Sequence, residues 1–86
     1  MRVTICSPLR SYTNGKATIE ASATSVWGLL DELESRYPGI RFRIIDEQDR
    51  LRVHLRIFVN SEMSVTLREP IRPTDEVHLI AALSGG

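Results

Sequence analysis

One cysteine, one lysine and one tryptophan stand in this chain of 86 residues, beside four prolines and five glycines. Each scarcity narrows the function. The lone Cys6 has no second cysteine with which to form an internal disulfide or a thiolate metal site, which suits a reducing, cytoplasmic setting. The lone Lys16 against ten arginines leaves almost no amine for acylation and many rigid, forked donors. Charge of either sign is not in excess: eleven basic residues cancel eleven acidic ones, so no net field draws nucleic acid or an anionic bilayer. No apolar run approaches ~18 residues and the N-terminus is charged and strand-like, so neither a membrane span nor a signal peptide is expected. With 42% hydrophobic and 26% charged residues, the composition is that of a folded globule. A chain this short builds one domain and buries roughly 60–65% of its unfolded surface, which leaves little room for a deep catalytic pocket. Enzyme is therefore the minority reading.

Periodicity gives the elements. Val26, Leu29, Leu30, Leu33 and Tyr37 recur at i, i+3, i+4, i+7 and i+11, the apolar stripe of a helix whose other side carries Asp31, Glu32, Glu34 and Arg36. Thr24 or Ser22 is placed to cap its start, and Pro38-Gly39 ends it. Before it, Val3 and Ile5, then Ala17 and Ile19, alternate with polar residues around a turn holding Asn14-Gly15, a hairpin pattern. After it, Leu51, Val53, Leu55, Ile57 and Val59 alternate cleanly, predicting one long strand. Residues 63–67 read as a short edge strand and 77–82 as the last strand. Residues 40–50 fit either period and are left as loop with local structure. The order β-β-α-β-(β)-β, with a right-handed crossover through the helix, is that of the α+β β-grasp fold: a mixed sheet of four or five strands with one main helix on one face.

The C-terminus is where function becomes legible. The stretch Asp75-Glu76-Val77-His78-Leu79-Ile80-Ala81-Ala82-Leu83-Ser84-Gly85-Gly86 resembles the ending of MoaD/ThiS-type, ubiquitin-like sulfur carriers. Val59-Asn60-Ser61-Glu62 is similar to the family's VNGE strand-turn, with Ser61 in place of the usual glycine, and residues 37–52 resemble its segment after the helix. The resemblance implies a domain over 1–82 and a flexible Gly-Gly tail over 83–86. It implies that the Gly86 carboxylate is adenylated by an E1-like enzyme of the MoeB/ThiF type and converted to a thiocarboxylate that donates sulfur in a biosynthesis of molybdopterin, thiazole, cysteine or a related metabolite. The sulfur would come from a rhodanese or cysteine desulfurase and pass to a downstream biosynthetic enzyme; ATP and Mg belong to the adenylating partner, and the domain itself binds no cofactor or metal.

Elementary chemistry supports that assignment. A terminal carboxylate is ionised at neutral pH and nucleophilic enough to attack an ATP α-phosphate. Gly85 and Gly86 lack the Cβ atoms that would block a narrow channel in the partner, and four residues from Leu83 span roughly 13 Å. Leu83 and Ser84 would enter the channel first. If Leu55, Ile57 and Val59 face the helix, then Arg56, Phe58, His78 and Ile80 face outward and form an anchor patch for the partner; ubiquitin-like proteins resemble this chain in placing a histidine and an apolar residue at the positions of His78 and Ile80. Other residues are set aside. Cys6 has no base beside it, His54 and His78 without a carboxylate or thiolate make a poor metal site, Trp27 flanks the helix stripe, and Asp31, Glu32 and Glu34 read as a solvated face. Two rival functions remain: a ubiquitin-like modifier joined through Gly86 to lysines, against whose chain-forming version the single Lys16 argues, and a non-conjugating β-grasp interaction domain.

Overall fold

The computed structural model describes residues 1–81. Five strands form one mixed sheet: β1 (Arg2–Thr4), β2 (Thr18–Glu20), β3 (Leu55–Val59), β4 (Glu62–Met63) and β5 (Glu76–Ala81), in the order β2-β1-β5-β3-β4. Only β1 and β5 run parallel; every other pair is antiparallel. This is the β-grasp arrangement expected. The hairpin β1–β2 is present with Val3 opposite Ile19, but its connection is long and carries a 3-10 turn at Ser7–Leu9. Ala17, expected on the inner face, is exposed and only its carbonyl takes part, accepting from the Ile5 amide at 2.7 Å.

Helix α1 (Val26–Arg36) buries Val26, Leu29, Leu30 and Leu33 completely against the sheet. Ser25 caps it, its hydroxyl accepting from the Gly28 amide at 3.1 Å, and neither Thr24 nor Ser22 does. Thr24 is occupied otherwise: its carbonyl accepts from Ile71 at 2.9 Å. The Val26 and Trp27 amides, which a helix's own hydrogen bonds leave unpaired, donate to the carbonyls of Glu69 and Leu67 at 2.9 and 2.7 Å. The Ser64 amide still donates to Ile57 on β3 at 2.8 Å, but the commitments of Leu67 and Glu69 draw the chain beyond it to the start of α1, so the expected edge strand over 63–67 shrinks to Glu62–Met63. At the other end Tyr37 leaves helical geometry, with φ −134° and ψ 80°, ahead of Pro38, and Gly39 adopts φ 98°, where a Cβ would also meet the Tyr12 ring at 3.3 Å.

Residues 40–50 contain a second helix, α2 (Ile40–Ile44). Ile40 and Ile44, four apart, are both fully buried, and Phe42 between them points outward. The Glu34 carboxylate accepts from the Gly39 and Arg41 amides, both at 2.9 Å, and so nails the start of α2 to the body of α1. The long strand expected from Leu51 begins only at Leu55. Leu51 instead bridges Ile45, the Arg52 amide donates to Ile44, and Val53 and His54 form a turn with Val53 86% exposed. The alternation at Leu51 and Val53 is therefore overridden by the pairing of Leu51 and Arg52 with the end of α2.

Candidate functional site

The last strand defines the site. In β5, Val77 and Leu79 are buried under α1, while Glu76, His78 and Ile80 point to the open face. Antiparallel register sets Phe58 opposite His78 and Arg56 opposite Ile80. The four candidates Arg56, Phe58, His78 and Ile80 are thus neighbours on two adjacent strands. Ile80 is 43% exposed; Phe58, expected exposed, is half-buried. Met63, 51% exposed, lies opposite Phe58 on β4 and enlarges the apolar patch, a residue that periodicity placed on an edge strand without connecting it to Phe58. Leu83, Ser84, Gly85 and Gly86 lie outside the described residues.

The start of β5 is clamped in register by polar contacts. The Asn60 side chain donates to Asp75 at 3.0 Å and accepts from the Glu76 amide at 3.0 Å, and the Asn60 amide donates to the Glu76 carbonyl at 2.6 Å. Two hydrogen bonds, from the Arg72 amide and from Asn60, hold the Asp75 carboxyl below its ordinary range. Arg2 on β1 hydrogen-bonds Glu76 at 2.6 Å, which lowers the Glu76 carboxyl and raises the guanidinium. These exposed charges align strands; none faces a cavity suited to acid–base work.

Residues set aside from the sequence find structural employment. Cys6 is half-buried, and burial pushes its thiol up, away from thiolate character. His54 sits in the turn ahead of β3 and does not join His78 on the sheet. Among the described residues no group of three or more His, Cys, Asp or Glu side chains could hold a metal ion, and no helix is long and apolar enough to cross a membrane. The acidic side of α1 is more engaged than a solvated face: Asp31 pairs with Arg41 at 3.1 Å, Glu32 accepts from the Ser22 amide at 3.0 Å, and Glu34 caps α2. Trp27 flanks the core as expected, with the Arg41 guanidinium 4.4 Å above its ring. A cavity of about 900 Å³ between Trp27, Ile57 and residues 64–68 holds one carboxylate, Asp49, which faces Arg41 at 3.9 Å. It carries no reacting pair.

Comparison with known proteins bears on this arrangement. The sequence model of the ThiS family matches residues 3–86. The sulfur carrier protein CysO of Mycobacterium tuberculosis is 32% identical over 93 aligned positions, covering all of both chains. Among solved structures, the Amycolatopsis orientalis BexX/CysO complex contains a chain with TM-score 0.89 and 31% identity, covering 99% of this chain and 98% of that one. SAMP1 of Haloferax volcanii, a small archaeal modifier protein, follows at TM-score 0.82 and 25% identity over 100% of this chain and 98% of that one. A ubiquitin-like β-grasp domain, matched from its first strand through Gly85-Gly86, the chain belongs to the ThiS family.

Proposed function

We propose that this protein is a sulfur carrier whose reacting group is the Gly86 carboxylate. A carboxylate oxygen attacks the α-phosphate of ATP in the site of an E1-like adenylating enzyme, releasing pyrophosphate; hydrosulfide then displaces AMP and leaves a thiocarboxylate, or a donor persulfide displaces AMP to give an acyl disulfide that a thiol reductant cleaves to the thiocarboxylate and a mixed disulfide. ATP and Mg are the partner's, a rhodanese or cysteine desulfurase supplies the sulfur, and a downstream biosynthetic enzyme receives it. A reaction that consumes ATP in this way belongs in the cytoplasm. The observation that carries the reading is the family match running through Gly86, joined to a last strand whose exposed Ile80 shares the open face with Phe58 and Met63. The chain itself acts as co-substrate: burial pushes its one thiol away from thiolate character, and the Glu34 and Asp75 carboxylates are engaged in structural contacts.

The test is direct. Incubated with its adenylating enzyme, Mg-ATP and a sulfide source, the intact protein should gain the mass difference of one oxygen replaced by sulfur, located by fragmentation on the last residue. A variant with one residue appended after Gly86 should not, because ~1 Å of misplacement already costs on the order of a hundredfold in rate and one residue is over three times that. Normal loading of the unprocessed extended variant would refute the carrier reading. The likeness to an archaeal modifier protein gives the rival, conjugation to lysines. High-mass adducts in cell extract, lost on deleting Gly86, would favour it.

A further inference from the structure

A second exposed surface lies at the end of the sheet where β5 runs out. Leu55 opens β3 directly opposite Ala81, so the Val53–His54 turn and the residues before it flank the point from which the chain continues toward Gly86. Val53 is the most exposed large hydrophobic residue among those described, at 86%. Phe42 on α2 is 53% exposed, and the Arg52 guanidinium covers its ring at 4.8 Å while its Nε donates to the Phe42 carbonyl at 2.8 Å. A recess of about 410 Å³ opens between Asp46, Arg50, Leu51, Arg52, Val53 and His54.

The charge of this end is unlike that of the whole. The chain balances eleven basic against eleven acidic residues, yet from Arg50 to Ser61 it has three arginines, one histidine and no carboxylate. Arg50 pairs with Asp46 at 3.6 Å, as Arg2, Arg36 and Arg41 pair with acids elsewhere. Arg52 and Arg56 have no carboxylate partner among the described residues; their side chains are held by the backbone carbonyls of Phe42, Val53 and Leu55. They are therefore fixed in place without an ion pair, Arg52 stacked on Phe42 and both beside the exposed Val53.

We propose that Phe42, Arg52, Val53 and His54 form a docking ledge for the acidic mouth of the enzyme that takes the chain end. This rests on the carrier reading and deepens it. Five residues past Ala81 extend at most ~18 Å, so an enzyme that reaches Gly86 must bring the rim of its channel against this end of the sheet. Arg56, which pairs with Ile80, makes the ledge continuous with the open-face patch. The partner's rim should present carboxylates to Arg52 and His54 and an apolar side chain to Val53 and Phe42.

Two matched variants test it. Val53 and Val65 are almost equally exposed, at 86% and 85%, but Val65 follows β4, which is separated from β5 by the whole width of β3. Binding of the purified E1-like adenylating enzyme with Mg-ATP should weaken about tenfold or more for Val53→Glu and stay unchanged for Val65→Glu, and Val53→Lys should lose less than Val53→Glu. Association with the wild type should slow as salt rises, less steeply for Arg52→Gln. If the wild type binds and is loaded with sulfur while Val53→Glu matches Val65→Glu, the ledge is wrong and the carrier reading stands. Equal losses for Val53→Glu and Val53→Lys would reject an acidic partner face. No binding by the wild type would overturn both.

Discussion

Asn60 shows how one side chain ties a turn to the working strand. Its φ of 58° lies in the left-handed region, which asparagine tolerates better than most residues, and its amide group bonds both Asp75 and the Glu76 amide at the start of β5. Ser61, the departure from the family's glycine, is not among the residues with positive φ. The strained position of the turn is thus filled by Asn60, and glycine at 61 is not needed. Asn60→Ala should cost about 1–2 kcal/mol in urea unfolding, since it loses two hydrogen bonds and gains backbone strain. Asn60→Gly should cost less, because only the hydrogen bonds go. Equal losses would mean that backbone strain contributes nothing there. Cys6, by contrast, is expendable: Cys6→Ser should leave sulfur loading intact.

At the scale of elements, what was legible followed from side chains whose partners lie on their own segment, and what was not depended on partners elsewhere. The stripe from Val26 to Tyr37 fixed α1 because a helix brings i, i+3 and i+4 together without outside help. Leu51 and Val53 alternate as well as Leu55 and Ile57, but a strand needs a neighbour, and Leu51 is taken by Ile45. Helix α2 was hidden because five residues show too little of either period and because its cap, the Glu34 carboxylate, comes from another helix. The outward set Arg56, Phe58, His78 and Ile80 was readable from parity alone, whereas Met63 and the Phe42–Arg52 stack required the register and the fold. The cap also has a pH signature. Hydrogen bonds from the Gly39 and Arg41 amides hold the Glu34 carboxyl below its ordinary 4.5, so its contribution to stability is fully present above that value and is lost as pH falls through the lowered one. Glu34→Gln removes that group's titration and should flatten the acid limb of stability against pH below about 4.5. An unchanged acid limb would show that the α1–α2 clamp does not depend on the carboxylate's charge.

Taken whole, the molecule is asymmetric in a way that suits a carrier. One face of the sheet is sealed by α1 and α2 around fully buried Val3, Leu29, Leu33, Ile44 and Val77; the other is covered only by its own side chains. β5 lies in the interior of the sheet, paired on both sides by β1 and β3, so its register is fixed as far as Ala81 while its outward residues stay on the uncovered face. Phe58 is where this separation can be tested. Its side chain points away from the core, with His78 opposite on β5 and Met63 opposite on β4, so a charge placed there meets no buried group of the sealed face. In a complex it would be desolvated against the partner, and Phe58→Asp should weaken binding of the adenylating enzyme by about 2 kcal/mol, near thirtyfold. Cooperative unfolding of the variant should persist, since α1 and the inner face are untouched. Calorimetric titration at matched salt gives the comparison: a loss of affinity with the fold retained places the open face in the complex, whereas an undiminished affinity would remove Phe58 from the contact and leave the ledge beside Ala81 as the docking surface.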